Sequence, residues 1–487
     1  MTNIYLFKLI IIFRFILITI VSLSKLLFVL IDNDNIIALA TPSGLGAISI
    51  IRVSGPQSIQ IVDKIFYSFD KISLKQTQSN KIQLGYIKDS DSFIDKVLVS
   101  IFRNPKSYTG EDVVEISCHC SSFIQNSIIQ LLLKLNCRLA KPGEFTMKAF
   151  LNGKMDLSEA ESVADLISSN SEASHKIAMN QMRGGFRNDI NMLRERLLNF
   201  ASLIELELDF SQEDVEFANT SELKNILDDI EKKLVDLIAS FKTGQVIKNG
   251  IPIVIIGEPN SGKSTLLNNL LNEDRAIVSS MPGTTRDTIE DQITLNGVIC
   301  RFIDTAGIRN TIDEIESIGI EKTFKKIEEA EIIIYMIDVL DLTDEKIEFH
   351  KKYIYEIQQK YDDKHIIQVI NKIDIAENDF SKKIKALKIS AKENMNINVL
   401  KESIINHIQE MTGNYESSII SNSRHYDILF KTKLEIDKVR SSIKNKVPTD
   451  LLAIDIKQAL NLLGELTGEI SNDEILGNIF SKFCIGK

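Results

Sequence analysis

Backbone amides, an ammonium and a hydroxyl gather in Gly257-Glu-Pro-Asn-Ser-Gly-Lys-Ser264, which fits the pattern G-x-x-x-x-G-K-[ST]. Such a loop cradles phosphate. Its N–H groups and the positive end of the next helix face the anion, Lys263 reaches the β/γ oxygens, and Ser264 ligates Mg²⁺. Asn260, Ser261, Gly262 and Thr265 are the neighbouring candidates for nucleotide contact. In Gly283-Thr-Thr-Arg-Asp287, Thr285 is placed as a second Mg²⁺ ligand over the γ-phosphate. The run Asp304, Thr305, Ala306, Gly307 offers a carboxylate to the metal shell and the Gly307 amide to the γ-phosphate. In Asn371, Lys372, Ile373, Asp374, the last carboxylate is an acceptor that matches two neighbouring N–H donors on guanine. Adenine has no such pair. Ser390, Ala391 and Lys392 close the series. Any one of these segments alone reads as an ordinary loop, but in this order they predict a guanine-nucleotide switch.

These groups need rigid carriers. Apolar runs at Ile251 to Ile256, Val298 to Ile303 and Ile366 to Ile370 predict buried strands ending at the phosphate loop, at Asp304 and at Asn371. Leu266, Leu267 and Leu270 predict the helix behind the loop. Ile308 follows directly on Gly307, and its apolar side chain cannot orient an attacking water. Hydrolysis must use another group, and Arg309 and Glu316 lie in the same switch, although composition alone would read both as solvated charges.

Helical periodicity flanks the α/β unit. Ile190, Leu193, Leu197, Phe200 and Ile204 recur at three and four, as do Leu223, Ile226, Ile230, Leu234, Leu237 and Phe241, and later Leu452, Ile456, Ala459, Leu463 and Leu466. The economical fold is multidomain, α/β plus all-α: a discontinuous helical domain interrupted by an inserted, Ras-like P-loop domain, with a separate α+β domain at the amino terminus. Breaks near Lys248-Asn-Gly250 and Met411-Thr-Gly-Asn414 place the parts at 32–150, 151–248, 249–411 and 412–487. A length of 487 residues suits about three domains of roughly 100–200 residues. With 57 basic against 67 acidic residues, the net charge of -10 is not that of an autonomous nucleic-acid binder. Five cysteines without framework spacing argue for a reducing compartment. Cys118-His119-Cys120 alternates as a strand does and has no second ligand pair near it, so a metal site is disfavoured; Cys137 and Cys300 sit in apolar runs as core residues.

The G motifs, with Asn260, Gly283-Thr-Thr-Arg-Asp287 and the chain end Phe483-Cys-Ile-Gly-Lys487, resemble the MnmE (TrmE) family of tRNA-modification GTPases. The resemblance runs from about Asn35 to Lys487 and takes in Ala38-Leu-Ala-Thr-Pro-Ser-Gly44, Ile51-Arg-Val-Ser-Gly55, Ser107-Tyr-Thr-Gly-Glu-Asp-Val-Val-Glu115, Pro142-Gly-Glu-Phe145 and Phe150-Leu-Asn-Gly-Lys154. It implies a G domain activated by K⁺ in place of an arginine finger, with Asn260, Ser279, Met281 and Thr284 around the ion, and Ser280 and Pro282 in the same loop. Glu316 would orient the water, and Gly283 and Thr284 would position it. The amino-terminal domain would form a homodimer and bind a tetrahydrofolate derivative (5-formyl- or 5,10-methylene-) through Arg52, Glu115, Lys154 and Lys487. Each of these four, without the family, reads as a surface ion. Around His119 the family's glycines give way to Cys118, Cys120 and Ser121, which leaves His119 without an assigned role. Cys484 is a candidate nucleophile, against which stands the inertness of most thiols at chain ends.

The implied activity is GTP hydrolysis coupled to addition of an aminomethyl or carboxymethylaminomethyl group at C5 of the tRNA wobble uridine. An FAD-binding partner of the MnmG (GidA) type would join it in a heterotetramer or larger complex and hold the flavin, since this chain lacks the G-x-G-x-x-G dinucleotide fingerprint. A ribosome-assembly GTPase would explain the G motifs but leave Arg52, Glu115 and Cys484 without a task. A membrane-tethered GTPase rests only on Met1 to Ile31, an apolar stretch with Lys8, Arg14, Lys25 and no acid. Its longest uncharged run, Phe15 to Ser24, is short of the ~20 residues a spanning helix needs, and a central Arg or Lys costs ~2.5–3.5 kcal/mol. The expectation is a cytoplasmic protein without stable membrane association. Its working form would start near Ile31 to Asn35 at a non-standard codon, because no Met lies between Met1 and Met147.

Overall fold

The computed structural model describes residues 34–42, 44–210, 220–274, 291–303, 324–375, 384–412, 419–445, 447–470 and 473–487. The chain forms two compact units, Met1–Ala164 with Ser471–Lys487, and Asp165–Ile470.

The first unit is built on a seven-stranded sheet: β1 (Asn35–Leu39), β2 (Ile48–Ser54), β3 (Phe66–Ser68), β4 (Lys81–Asp89), β5 (Ser92–Phe102), β6 (Val113–His119) and β7 (Cys137–Leu139), in the order 3-4-5-6-2-1-7. β1 and β7 run parallel and the other neighbours antiparallel. Alternation along the strands buries one face: Ile51 and Val53 of β2, Val97, Val99 and Ile101 of β5, and Val114, Ile116 and Cys118 of β6. Helices α1 (Ser58–Asp63) and α2 (Ser122–Lys134) cover that face with Ile59, Val62, Ile128 and Leu132. Arg52 and Glu115 alternate to the opposite face as directly paired residues of β2 and β6.

Helices α3 (Glu144–Leu151) and α4 (Leu157–Ser168) follow. The contacts of these helices group them with the strands before them. Residues 151–164 and 473–487 fall in the first compact unit. Leu476, Phe480 and Phe483, on and after the terminal helix Asp473–Phe480, bury against Leu157 and Ala160, with Met147 and Phe150 alongside. The main-chain N–H of Gly143 donates to the Cys484 carbonyl at 3.4 Å.

In the second unit, α5 (Glu172–Met182), α6 (Gly185–Phe210) and α7 (Thr220–Asn249) precede a six-stranded sheet. Its strands are β8 (Ile251–Gly257), β9 (Asp291–Leu295), β10 (Val298–Phe302), β11 (Ile332–Asp338), β12 (His365–Asn371) and β13 (Leu387–Lys388), in the order 13-12-11-8-10-9, with only the β9–β10 pair antiparallel. Every residue of β11 is buried, as expected of a parallel strand covered on both faces. The coverings are α8 (Lys263–Asp274) and α10 (Ile397–Thr412) on one side and α9 (Asp344–Lys360) on the other. Then α11 (Ser423–Lys444) and α12 (Thr449–Thr467) return to α6 and α7 and enclose one core. It holds Ile190, Leu193, Leu197, Phe200, Ile204, Ile230, Leu234, Leu237, Leu452, Ile456, Ala459, Leu463 and Leu466, so the helical periodicity located the buried faces. Leu227 joins them from the same face of α7, and the side chain of Leu223 lies outside the described residues. The ends of the inserted domain are tied together, because Gln245 Nε2 donates to the Ser421 carbonyl at 2.7 Å and Ile420 N–H to Ser240 Oγ at 3.1 Å.

One partly buried cluster carries a pH dependence. On α7, Lys242 pairs with Glu331 at 3.1 Å and Asp363 at 3.5 Å, while the rings of His365 and His407 stack with centroids 3.8 Å apart. Burial, then the charge of His365, push the His407 pKa down to about 4, against the opposing pull of Glu410. A histidine held neutral by folding contributes stability that is complete above its ordinary value of 6.5 and is lost as pH falls through the folded value. The melting temperature should therefore fall from pH ~6.5 toward ~4 more steeply in the native chain than in His407→Phe. Parallel curves would remove His407 from the acid response.

Candidate functional site

The phosphate loop lies where the sheet predicts it, between central strand β8 and the first turn of α8. Lys263 Nζ donates to the carbonyls of Gly257 at 3.0 Å and Glu258 at 2.8 Å, and burial lowers its pKa. Its ammonium is thus held over the loop backbone. Gly262 is required by the loop: its φ is +96°, and an added Cβ would meet Asn371 Nδ2 at 2.1 Å. Asn260 has φ +61°, a left-handed conformation that Asn adopts more readily than most residues. The Ser261 side chain is fully buried, and among the described residues its Oγ has no hydrogen-bond partner, in a loop otherwise suited to phosphate.

The base-recognition side is joined to this loop by Asn371. Its Nδ2 donates to the Ser261 carbonyl at 2.8 Å, and its Oδ1 accepts from the Ala391 N–H at 2.9 Å. One amide therefore ties the phosphate loop to the segment Ser390 to Lys392. Ser390 Oγ donates to Asp374 Oδ1 at 2.6 Å, which orients the carboxylate, and Asn269 Nδ2 donates to the Ala391 carbonyl at 2.7 Å. Lys392 is exposed, and Ser264 and Thr265 stand in the first turn of α8.

Asn260, Ser261, Gly262, Lys263, Ser264, Thr265, Asn371, Lys372, Asp374, Ser390, Ala391 and Lys392 thus stand at or just beyond the ends of β8, β12 and β13, with Lys263, Ser264 and Thr265 in the first turn of α8. Ser279, Ser280, Met281, Pro282, Gly283, Thr284, Thr285, Asp304, Thr305, Ala306, Gly307, Arg309 and Glu316 lie outside the described residues, as does the stretch Met1 to Ile31.

Asp374→Asn should weaken GTP binding by on the order of 100-fold and favour xanthosine triphosphate, since each hydrogen bond to a charged group is worth ~1.5–3 kcal/mol. Competition binding checks it. An unchanged preference for GTP would take Asp374 out of base recognition.

A second cluster lies in the first unit. Arg52 Nε donates to Glu115 Oε1 at 2.9 Å, with Nη2 at 2.8 Å from the same oxygen, and Arg52 Nη1 donates to the Gly486 carbonyl at 3.2 Å. The carboxyl-terminal segment therefore meets β1 and β2 here. Gly486 has φ +97°, and a Cβ there would meet the Leu39 carbonyl oxygen at 2.6 Å. The Arg52 guanidinium also sits 5.4 Å from the Tyr108 ring centre and 5.6 Å from that of Phe145. Tyr108 shares a 2.8 Å hydrogen bond with Thr146, and burial raises its pKa. Lys487 Nζ is 5.9 Å from the same ring; burial, then Arg52, lower its pKa.

Lys154 stands apart from the Arg52–Glu115 pair: it is exposed, and its Nζ donates to the Pro105 carbonyl at 2.9 Å. Its stem packs at Gly110, two residues beyond Tyr108. The thiol-bearing Cys484 is exposed. Sequence reasoning assigned no role to Tyr108, although it lies within the quoted segment Ser107 to Glu115. His119 is exposed at the end of β6, with Nδ1 2.7 Å from Asp95, whereas Cys118 is buried. Cys137 and Cys300 are buried, as the apolar runs around them predict.

The family model described as MnmE helical domain matches residues 157–484, and that described as GTP-binding protein TrmE N-terminus matches residues 35–154. A tRNA modification GTPase MnmE of Flavobacterium johnsoniae is 53% identical over 94% of this chain and 100% of its own length. Proteins of the same name from Christiangramia forsetii and Bacteroides thetaiotaomicron are 52% and 48% identical, over 93% and 94% of this chain and 99% and 100% of their own lengths. A solved GTP-binding protein of Sulfolobus solfataricus aligns with 45% of this chain and 67% of its own at 21% identity, and its TM-score of 0.24 adds nothing to the assignment. With two family models spanning nearly all of residues 35–484 and relatives at about half identity, the chain belongs to the MnmE family of tRNA modification GTPases.

Proposed function

We propose that this chain is a K⁺-activated GTPase that, with an FAD-binding partner, adds an aminomethyl or carboxymethylaminomethyl group to C5 of the tRNA wobble uridine, using a tetrahydrofolate one-carbon donor. The observation that carries the reading is the pairing, in one member of this family, of a guanine-type loop set with a separate Arg52–Glu115–Tyr108 cluster closed by Gly486 and Lys487. A GTP switch alone has no use for the second.

In the G domain, Lys263 and the amides of the loop hold the phosphates, Asn371 fixes the loop to the base side, and Asp374 accepts from guanine. Bound Mg²⁺, ligated by Ser264 and Thr285, and K⁺, held by Asn260, Ser279, Met281 and Thr284, would supply the positive charge that offsets charge developing on the transferred phosphoryl group. Glu316, Gly283 and Thr284 are proposed to place the water.

In the first unit, both Arg52 bonds fall on Glu115 Oε1, so Oε2 can accept from pterin N–H groups. Lys487 and Lys154 suit the anionic tail of a folate, and the Tyr108 ring offers it an aromatic wall. Cys484 is proposed as a nucleophile beside this site, three residues from Lys487.

A homodimer is proposed on the outer face of β4 and β5. There Leu84 and Leu98 are cross-strand partners and 41% and 45% exposed, with Ile82 and Phe93 more exposed still. Among the described residues, no helix is long and apolar enough to cross a membrane. The proposed location is the cytoplasm.

Calorimetry with 5-formyl-tetrahydrofolate tests the reading. Arg52→Ala and Glu115→Gln should each abolish detectable binding while intrinsic GTP hydrolysis stays within about twofold, because residues that share no partners do not couple. Full folate affinity in both variants would move the site elsewhere and restore the simple switch as the better account.

A further inference from the structure

We infer that Asp338 is a positioning residue for guanine recognition, acting through Lys372; this rests on the reading of Asn371 to Asp374 as the base-recognition segment. Asp338 ends β11, in register with Asn371 at the end of β12, and is 8% exposed. Both of its oxygens are engaged. Oδ1 accepts from the Leu340 N–H at 3.0 Å, and Oδ2 accepts from Lys372 Nζ at 2.5 Å. Lys372 itself has φ +67°, a left-handed backbone that is uncommon outside Gly and Asn and sends its side chain along a direction an ordinary strand end would not take.

The chemistry gives this pair a purpose. Asp374 recognises guanine only as an acceptor, and an unattached ammonium two residues away would compete with the base for that carboxylate. Lysine carries a flexible four-carbon stem, so nothing intrinsic to it prevents the competition. Asp338 draws the ammonium to the neighbouring strand, while Ser390 Oγ holds Asp374 Oδ1 from the other side. The two interactions keep the acid and the base of the same short segment apart, and they confine the Lys372 stem to one arc beside the recognition carboxylate. The ion pair is partly sheltered, with side-chain exposures of 30% for Lys372 and 9% for Asp338, so solvent does not fully screen it.

A double-mutant cycle on the full chain tests this, with a fluorescent GDP analogue as the probe. Asp338→Asn keeps an oxygen for the Leu340 N–H and removes the charge that attracts Lys372. It should raise the dissociation constant roughly tenfold, Lys372→Met should also raise it, and the double variant should bind no more weakly than Lys372→Met alone. Asp338→Glu, which restores the charge on a longer arm, should recover part of the loss. Native affinity in Asp338→Asn beside weakened binding in Lys372→Met would overturn the inference and leave the base-recognition reading standing. Losses that multiply in the double variant would also overturn it, since Asp338 would then act independently of Lys372. No effect of Lys372→Met would also overturn the inference, since Asp338 would then have no recognition task to act through, and would leave Asp374 as the acceptor for guanine.

Discussion

Exchanging K⁺ for Na⁺ at equal ionic strength is expected to slow GTP hydrolysis by the full chain by about one to two orders of magnitude, a fraction of the roughly 10³–10⁵ that an arginine finger supplies. Ile308, immediately after Asp304 to Gly307, has no polar group to offer the water, so the missing positive charge and the ordering of the switch must come from elsewhere. Asn260, left-handed in the phosphate loop, is the described member of the proposed K⁺ site. Na⁺ is smaller and would draw the same oxygens inward, against the geometry of the loop. Phosphate release measured in the two chlorides checks the expectation. Equal rates would eliminate the cation from catalysis.

Glu316→Ala is expected to reduce the turnover rate by about 10²-fold or more, within the roughly 10²–10⁴ range for positioned acid–base groups, while nucleotide affinity changes little. The reason is separation of tasks. In the proposed site, affinity would come from Lys263, Asn371 and Asp374, which the loop hydrogen bonds already hold in place, whereas a water-orienting carboxylate would act mainly as the phosphoryl bond breaks. Single-turnover hydrolysis with a saturating excess of enzyme isolates that step. A loss of affinity as large as the loss of rate would point to a damaged switch instead.

Much of the nucleotide site was legible because its signals are local. A buried β-run, a glycine loop and an apolar helix follow one another within residues 251–271, and the pattern puts Lys263 at the start of the helix that follows a central strand. The same holds for the helical core, where spacings of three and four selected residues that prove buried. The terminal segment was not legible in this way. Leu476 and Phe480 carry the same kind of apolar stripe as α12, and nothing in their spacing says that their partners are Leu157 and Ala160, more than 300 positions earlier. Tyr108 and Asp338 were missed for a related reason. Their roles come from contacts across strands and chain ends, with Arg52 and Lys487 for one and Lys372 for the other. Lys154, matched by motif, has its stem beside Gly110 and its ammonium on the Pro105 carbonyl.

Mass spectrometry of wobble nucleosides from cells that lack this protein tests the central claim most directly. Digested tRNA should lose the C5 aminomethyl and carboxymethylaminomethyl uridines, and a plasmid carrying the native chain should restore them, whereas one carrying Arg52→Ala should not. An unchanged nucleoside profile in the deletion strain would contradict the account.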